Sequence, residues 1–162
     1  MDYQEIVNTM NTDPFVQQLL EAPIPARLAY IGLDGHPRVV PVSYLWDGQA
    51  FVFASPPSWY KIRSLEANPN VALTVDTTDF PPLILSARGI ASITYDQGLP
   101  EQYVEASRRI VGEDKMPDWE KSVRAENRNM ALVHITPTWL KVVDFETRYP
   151  GPSPEPSDAE QS

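Results

Sequence analysis

Two Asp-Gly pairs, Asp34-Gly35 and Asp47-Gly48, separate three runs of β-favouring residues, and this arrangement constrains the fold more than any other feature of the chain. Asp-Gly supplies the positive-φ positions of a tight hairpin turn, so residues 28–31, 38–46 and 50–55 are expected as consecutive antiparallel strands. Two further runs, 71–76 and 83–95, read as strands. In the second, Ile84, Ser86 and Arg88 share one face and Leu85, Ala87 and Gly89 the other, because side chains alternate along a strand. The last strands are expected over 131–135 and 140–145. The seventeen prolines argue against an all-helical bundle.

Helical spacing is confined to the flanks and two insertions. Ile6, Val7, Met10, Phe15, Leu19 and Leu20 recur at mostly helical intervals, and Asp13-Pro14 divides them into two short helices. Ser58 is a plausible cap for a helix ending at Asn68-Pro69. Pro100 is expected at the first position of a helix reaching Val111, and another spans 117–128. These elements predict a mainly β fold: a small antiparallel barrel of six to seven strands, Greek-key-like, with peripheral helices. Residues 1–149 are read as one domain. Residues 150–162, with four prolines and three acids, are read as a disordered, dispensable tail.

Composition removes several kinds of chemistry. Without cysteine there is no disulfide, thiolate zinc site or cysteine nucleophile. Thirteen basic residues against 22 acidic ones give a charge of −9, which disfavours a nucleic-acid surface. The first basic residue is Arg27, and no apolar run approaches a membrane span, so a cytoplasmic protein without a membrane partner is expected. His36 falls in a turn and His134 in a strand, neither with a second histidine at ligand spacing, so no metal is expected. Asp76 and Asp79 belong to a polar loop, Gly32 and Gly35 to a hairpin turn, and no G-x-S-x-G elbow occurs.

The informative constellation is Ser58-Trp59-Tyr60-Lys61-Ile62-Arg63, which opens a helix just after a strand ending at Ser55. Unpaired N–H groups and the helix dipole favour an anion there, and a lysine with hydroxyls suits a phosphate monoester. Arg38, on a neighbouring strand, would supply a second cation. On the residues alone a solvated surface lysine is the commoner situation, and both readings stand.

From about residue 26 to 145 the chain resembles the FMN-binding split-barrel superfamily, the pyridoxamine 5′-phosphate oxidase-like proteins. The resemblance is carried by Ala26-Arg27-Leu28-Ala29, Asp34-Gly35-His36-Pro37, Arg38-Val39-Val40-Pro41-Val42, Phe51-Val52-Phe53-Ala54-Ser55 and Lys61-Ile62-Arg63-Ser64-Leu65-Glu66-Ala67-Asn68-Pro69. It implies a homodimer with FMN in the interface, contacted by both chains. Carried over residue by residue, Arg38, Val39, Val40, Pro41 and Ser43 would line the flavin and its phosphate. Ala54 and Ser55 would hold the ring edge and ribityl chain, and Ser58, Trp59 and Lys61 would surround the phosphate. Ile84, Ser86 and Arg88 would reach the partner's cofactor, or Arg88 would form an ion pair at the subunit interface. Trp59, Tyr60 and Trp139 are candidates for stacking on the ring or substrate.

The departures are equally informative. Ser43 stands where the vitamin oxidase has lysine, Trp59-Tyr60 where it has Ser-Arg, and Ile84 where it has a flavin-contacting glutamine. Its C-terminal arginine-and-histidine substrate motif is missing, so pyridoxamine phosphate oxidation is not expected. The resemblance implies an FMN-dependent oxidoreductase acting on an unidentified small molecule. The flavin itself does the hydride chemistry, so no catalytic residue is assigned. The alternatives are a deazaflavin-dependent reductase of the same fold, or a protein that binds flavin or haem without turnover. With only four lysines, the chain offers few cations to a deazaflavin coenzyme's polyglutamate tail.

Overall fold

The computed structural model describes residues 1–95 and 98–149; the expected tail, 150–162, lies outside them. The chain runs α1 (Tyr3–Thr12), α2 (Pro14–Glu21), β1 (Ala26–Ile31), β2 (Pro37–Val42), β3 (Leu45–Trp46), β4 (Phe51–Ser55) and α3 (Tyr60–Ala67). It continues with β5 (Asn70–Asp76), β6 (Ile84–Tyr95), α4 (Glu101–Val111), α5 (Met116–Glu126) and β7 (Ala131–Val143). All seven strands join one antiparallel sheet in the order β2-β1-β5-β6-β7-β4-β3. This is the mainly β split-barrel architecture anticipated, with helices outside it.

Both Asp-Gly turns form as their chemistry requires. Gly35 and Gly48 take φ of 81° and 97°, which a side chain would resist. Asp34 Oδ1 accepts the His36 N–H, and Asp47 Oδ1 accepts those of Gln49 and Ala50. Inside the barrel, alternate residues of the strands meet: Leu28, Phe53, Leu73, Leu85, Val133 and Ile135 are buried in one core with Ile62 and Leu65 of α3. Ile6 and Met10 of α1 and Val16 and Leu19 of α2 join the same core.

Asp13 explains the break between the first two helices. Its Oδ1 accepts the N–H groups of Phe15 and Val16 at 2.9 and 3.4 Å, and Pro14 occupies the first turn, where no N–H is needed. Its other oxygen pairs with Arg148 at 2.6 Å, tying α2 to the turn after β7. Asp13→Ala is therefore expected to cost about 1–2 kcal/mol, the range for losing a helix cap, read as a lower urea midpoint with an unchanged slope.

Several expected boundaries move. Residues 38–46 do not form one strand: the chain leaves β2 at Val42 and resumes as β3 at Leu45, because β2 pairs with β1 and β3 with β4, at opposite ends of the strand order. Tyr44, in the break, is turned inward and 1% exposed, its ring under the Arg109 guanidinium at 4.5 Å. Conversely, 131–135 and 140–145 are not two strands: β7 runs unbroken to Val143, and Asp144 begins a turn by accepting the N–H groups of Glu146, Thr147 and Arg148. Pro137 cannot donate to the ladder, and a bulge accommodates it. Arg88 pairs with Trp139 and Gly89 with Pro137, leaving Thr138 as the extra residue. Ser58 does not cap α3, since Trp59 holds that position without a side-chain cap bond, and Pro100 is the cap of α4 and not its first residue. Among the described residues, no helix is long and apolar enough to cross a membrane.

Candidate functional site

The end of β2, the end of β4 and the first turn of α3 converge on a cavity of about 290 Å³. Pro41 and Ser43 line it from β2 and the residues after it, Ala54, Ser55 and Pro56 from the end of β4, and Trp59 and Lys61 from the start of α3. The strands reach it because β1 carries β2 on one side of the sheet and β7 carries β4 on the other. Residues from both ends line the one cavity, so the sheet curls to bring them near each other, and α3 follows β4 directly.

Lys61 dominates the electrostatics. It is the second residue of α3, partly buried, with its ammonium 4.8 Å from the centre of the Trp59 ring. Burial pushes its pKa below the ordinary lysine value. Among the described residues no carboxylate lies within ion-pair distance of it; every ion pair found there involves an arginine. A partly desolvated cation without a counter-charge is costly, and an anion entering the cavity removes that cost. In the first turn of α3, Ile62 donates its N–H to the Trp59 carbonyl at 3.0 Å, which leaves the N–H groups of Tyr60 and Lys61 as the ones that the helix itself does not satisfy. These features fit a phosphorylated coenzyme, with Trp59 available to a planar ring.

The roof comes from a part of the chain that sequence reasoning had left at the periphery. Leu99, Tyr103, Val123, Glu126, Arg128 and Met130, from α4, α5 and their flanks, complete the lining. The two helices are held together by Arg124, which donates to both oxygens of Glu101 at 2.8 and 2.9 Å and holds that carboxyl below its usual range. Tyr103 packs against Trp119, ring centres 5.7 Å apart, and burial raises its phenol pKa. After α5, Asn127 takes a left-handed conformation, φ 44°, and the Asn129 side chain accepts the Gly98 N–H, which closes the hairpin base. The sequence signal available was the amphipathic stripe containing Tyr103, which reads equally well as ordinary core packing.

Of the residues singled out in the sequence, Pro41, Ser43, Ala54, Ser55, Trp59 and Lys61 meet in this cavity. Val39, Ser86 and Arg88 meet elsewhere, in a shallow, mostly apolar depression of about 310 Å³ on the outer face of the sheet, together with Ala29, Ala72 and Trp139. The Arg88 guanidinium lies 4.7 Å from the Trp139 ring centre. Arg38, Val40, Ser58 and Ile84 line neither. Arg38 turns back to Asp34 at 2.8 Å and stacks on Tyr60 at 4.5 Å, Val40 packs on the core, Ser58 is exposed and Ile84 is partly exposed. His36 is exposed and His134 sits in β7, neither in a cavity, and no trio of metal-ligating side chains occurs among the described residues.

A seven-stranded antiparallel split barrel with a cavity at the start of its third helix defines the class of fold to which the chain belongs. The chain belongs to the pyridoxamine 5′-phosphate oxidase family, whose sequence pattern matches residues 12–144. Among solved structures, an F420 reductase is 28% identical, with a TM-score of 0.61 over 77% of this chain and 94% of its own. A putative pyridoxamine 5′-phosphate oxidase from Listeria innocua is 18% identical, TM-score 0.56, covering 80% of this chain and 95% of its own. The haem storage protein HutZ from Vibrio cholerae is 16% identical, TM-score 0.58, covering 80% and 93%. The last two likenesses concern the fold alone. No curated protein matches the chain.

Proposed function

We propose that this chain is an FMN-dependent oxidoreductase that works as a homodimer, with each coenzyme shared between subunits. The observation that carries the reading is Lys61: a partly buried ammonium with no carboxylate partner among the described residues, at a helix start and beside a ring-stacking tryptophan. When bound, the flavin supplies the hydride chemistry. The chain's part is to bind and orient. Lys61 and the first turn of α3 hold the phosphate, Ala54 and Ser55 the chain leading to the ring, and Pro41 and Ser43 one edge of it. Substrate is a small molecule that enters beside the ring.

The outer depression supports the homodimer. Val39 is 65% exposed and Ile90 43%, on the face that carries Ser86, Arg88 and Trp139. A second copy covering that face would bury apolar surface and bring Ser86 and Arg88 to its own cavity. An obligate interface of this kind exceeds roughly 2,000 Å².

A deazaflavin is the second reading, supported by the similarity to an F420 reductase. Against it, the arginines of α4 and α5 beside the cavity already face carboxylates: Arg108 faces Glu105 and Glu120, and Arg124 faces Glu101 and Glu120. They offer little free positive charge to a polyanionic tail.

Reconstitution tests both halves of the reading. The purified chain should sediment as a dimer at micromolar concentration, bind FMN with a shifted flavin spectrum, and pass electrons from a nicotinamide donor to a dye or quinone. A stable monomer that binds no flavin overturns the proposal. Tight binding of a deazaflavin with weak binding of FMN moves the assignment to the second reading.

A further inference from the structure

The cavity holds a second cation besides Lys61, and it is not Arg38, which is engaged with Asp34 and lines no cavity. Arg128 lines the roof, one residue beyond the left-handed Asn127 that ends α5. Its Nε lies 2.9 Å from Glu126, and Glu126 lines the same cavity. These two side chains put an ion pair in the lining of a cavity whose other charged residue, Lys61, has no carboxylate partner among the described residues.

We infer that Arg128 is a phosphate ligand held in reserve by Glu126, so that an entering phosphate exchanges places with the Glu126 carboxylate. Both partners are well exposed, 63% and 48%, and exposed pairs are weak, so the pair opens at little cost. A guanidinium binds phosphate oxygens in a fork geometry that an ammonium cannot offer. The exchange also sets selectivity. A phosphate monoester carries close to two charges at neutral pH and competes well with one carboxylate, whereas a phosphodiester carries one and competes on even terms. The chain should thus prefer a terminal phosphate to an internal one at this position. The helical hairpin is then part of the coenzyme site.

This assignment rests on the coenzyme reading proposed for the cavity, and the experiment separates the two. Binding of FMN, riboflavin and inorganic phosphate is measured for the wild type, Arg128→Gln, Glu126→Gln and the double variant, by flavin fluorescence and phosphate-induced thermal shift. Arg128→Gln should weaken FMN about tenfold or more, the size of a charge-assisted hydrogen bond, and leave riboflavin unchanged. Glu126→Gln should tighten FMN and phosphate about two- to fivefold, and that gain should vanish when Arg128 is also replaced. A gain that persists in the double variant shows only a general loss of negative field and overturns the exchange. Unchanged FMN affinity in Arg128→Gln, with Lys61 still required, overturns the role of Arg128 and leaves the coenzyme reading standing. A wild type that binds neither flavin nor phosphate overturns both. Circular dichroism of each variant identifies any loss that comes from unfolding.

Discussion

Replacing Lys61 by alanine is expected to weaken FMN binding by about 2 kcal/mol, on the order of 30-fold, while riboflavin binding changes far less. The size follows from comparing two attractions. The dipole at the start of α3 contributes roughly 0.3–1 kcal/mol to a bound anion, and a charge-assisted hydrogen bond roughly 1.5–3 kcal/mol, so the side chain outweighs the helix. Riboflavin lacks the phosphate and so isolates that contact. Lys121→Ala on α5 changes net charge equally and lines no cavity, so it serves as the control. Equal losses for FMN and riboflavin would show that Lys61 supports the ring site or the fold. The pH dependence has a definite sign. Burial lowers the Lys61 pKa in the free protein and a bound phosphate favours its charged form, so FMN affinity falls as pH rises. The fall begins below the ordinary lysine value of about 10.4, with riboflavin as the reference.

The second large effect concerns Gly89, at the bulge between β6 and β7. A Cβ there would lie 2.6 Å from the Thr136 carbonyl oxygen and 2.6 Å from Ile135 Cγ2. The side chain can rotate away, but the carbonyl belongs to the partner strand's backbone. Gly89→Ala should therefore destabilise the protein by about 3 kcal/mol, the upper part of the range for overpacking, seen in urea unfolding. Combining it with Ile135→Ala removes the methyl clash, leaves the carbonyl one and also empties part of the core, so the double variant should recover no stability. Recovery in that variant would show that the strand backbones can part. The substitution should also loosen the Arg88–Trp139 stack on the other face, which Trp139 fluorescence reports.

Local chemistry made part of this fold legible, and long-range geometry hid the rest. Asp34-Gly35 and Asp47-Gly48 specify their turns within four residues, and Asp13-Pro14 both ends one helix and starts the next, so each was readable in place. The break at Ser43 and Tyr44 was not, because nothing in those residues says that their flanking strands pair at opposite ends of the sheet. Pro137 looks like a strand breaker until Gly89 is seen opposite it, 48 positions away, with a bulge between them. The cavity shows the same division. Pro41, Ser43, Ala54, Ser55, Trp59 and Lys61 come from adjacent hairpins and one helix start, and the family resemblance placed them together with Arg38, Val39, Val40 and Ser58, which do not line this cavity. Arg38 shares that neighbourhood, yet Asp34 lies four residues back across the hairpin and takes its guanidinium. Tyr103, Glu126 and Arg128 arrive from 42 to 67 residues beyond Lys61, on a hairpin that only the packed structure lays over the site.

The separation of Lys61 and Arg88 into different clefts has a genetic consequence. Under the two-fold pairing proposed here, each composite site takes Lys61 from one copy and Arg88 from the other. Suppose one cell makes two alleles, one damaged at Lys61 and the other at Arg88. In their mixed dimers both lesions fall on one site, and the second site is assembled wholly from sound halves. Two alleles both damaged at Lys61 leave no such site. Lesions in the two clefts therefore behave as separate complementation groups, although one reading frame encodes them both.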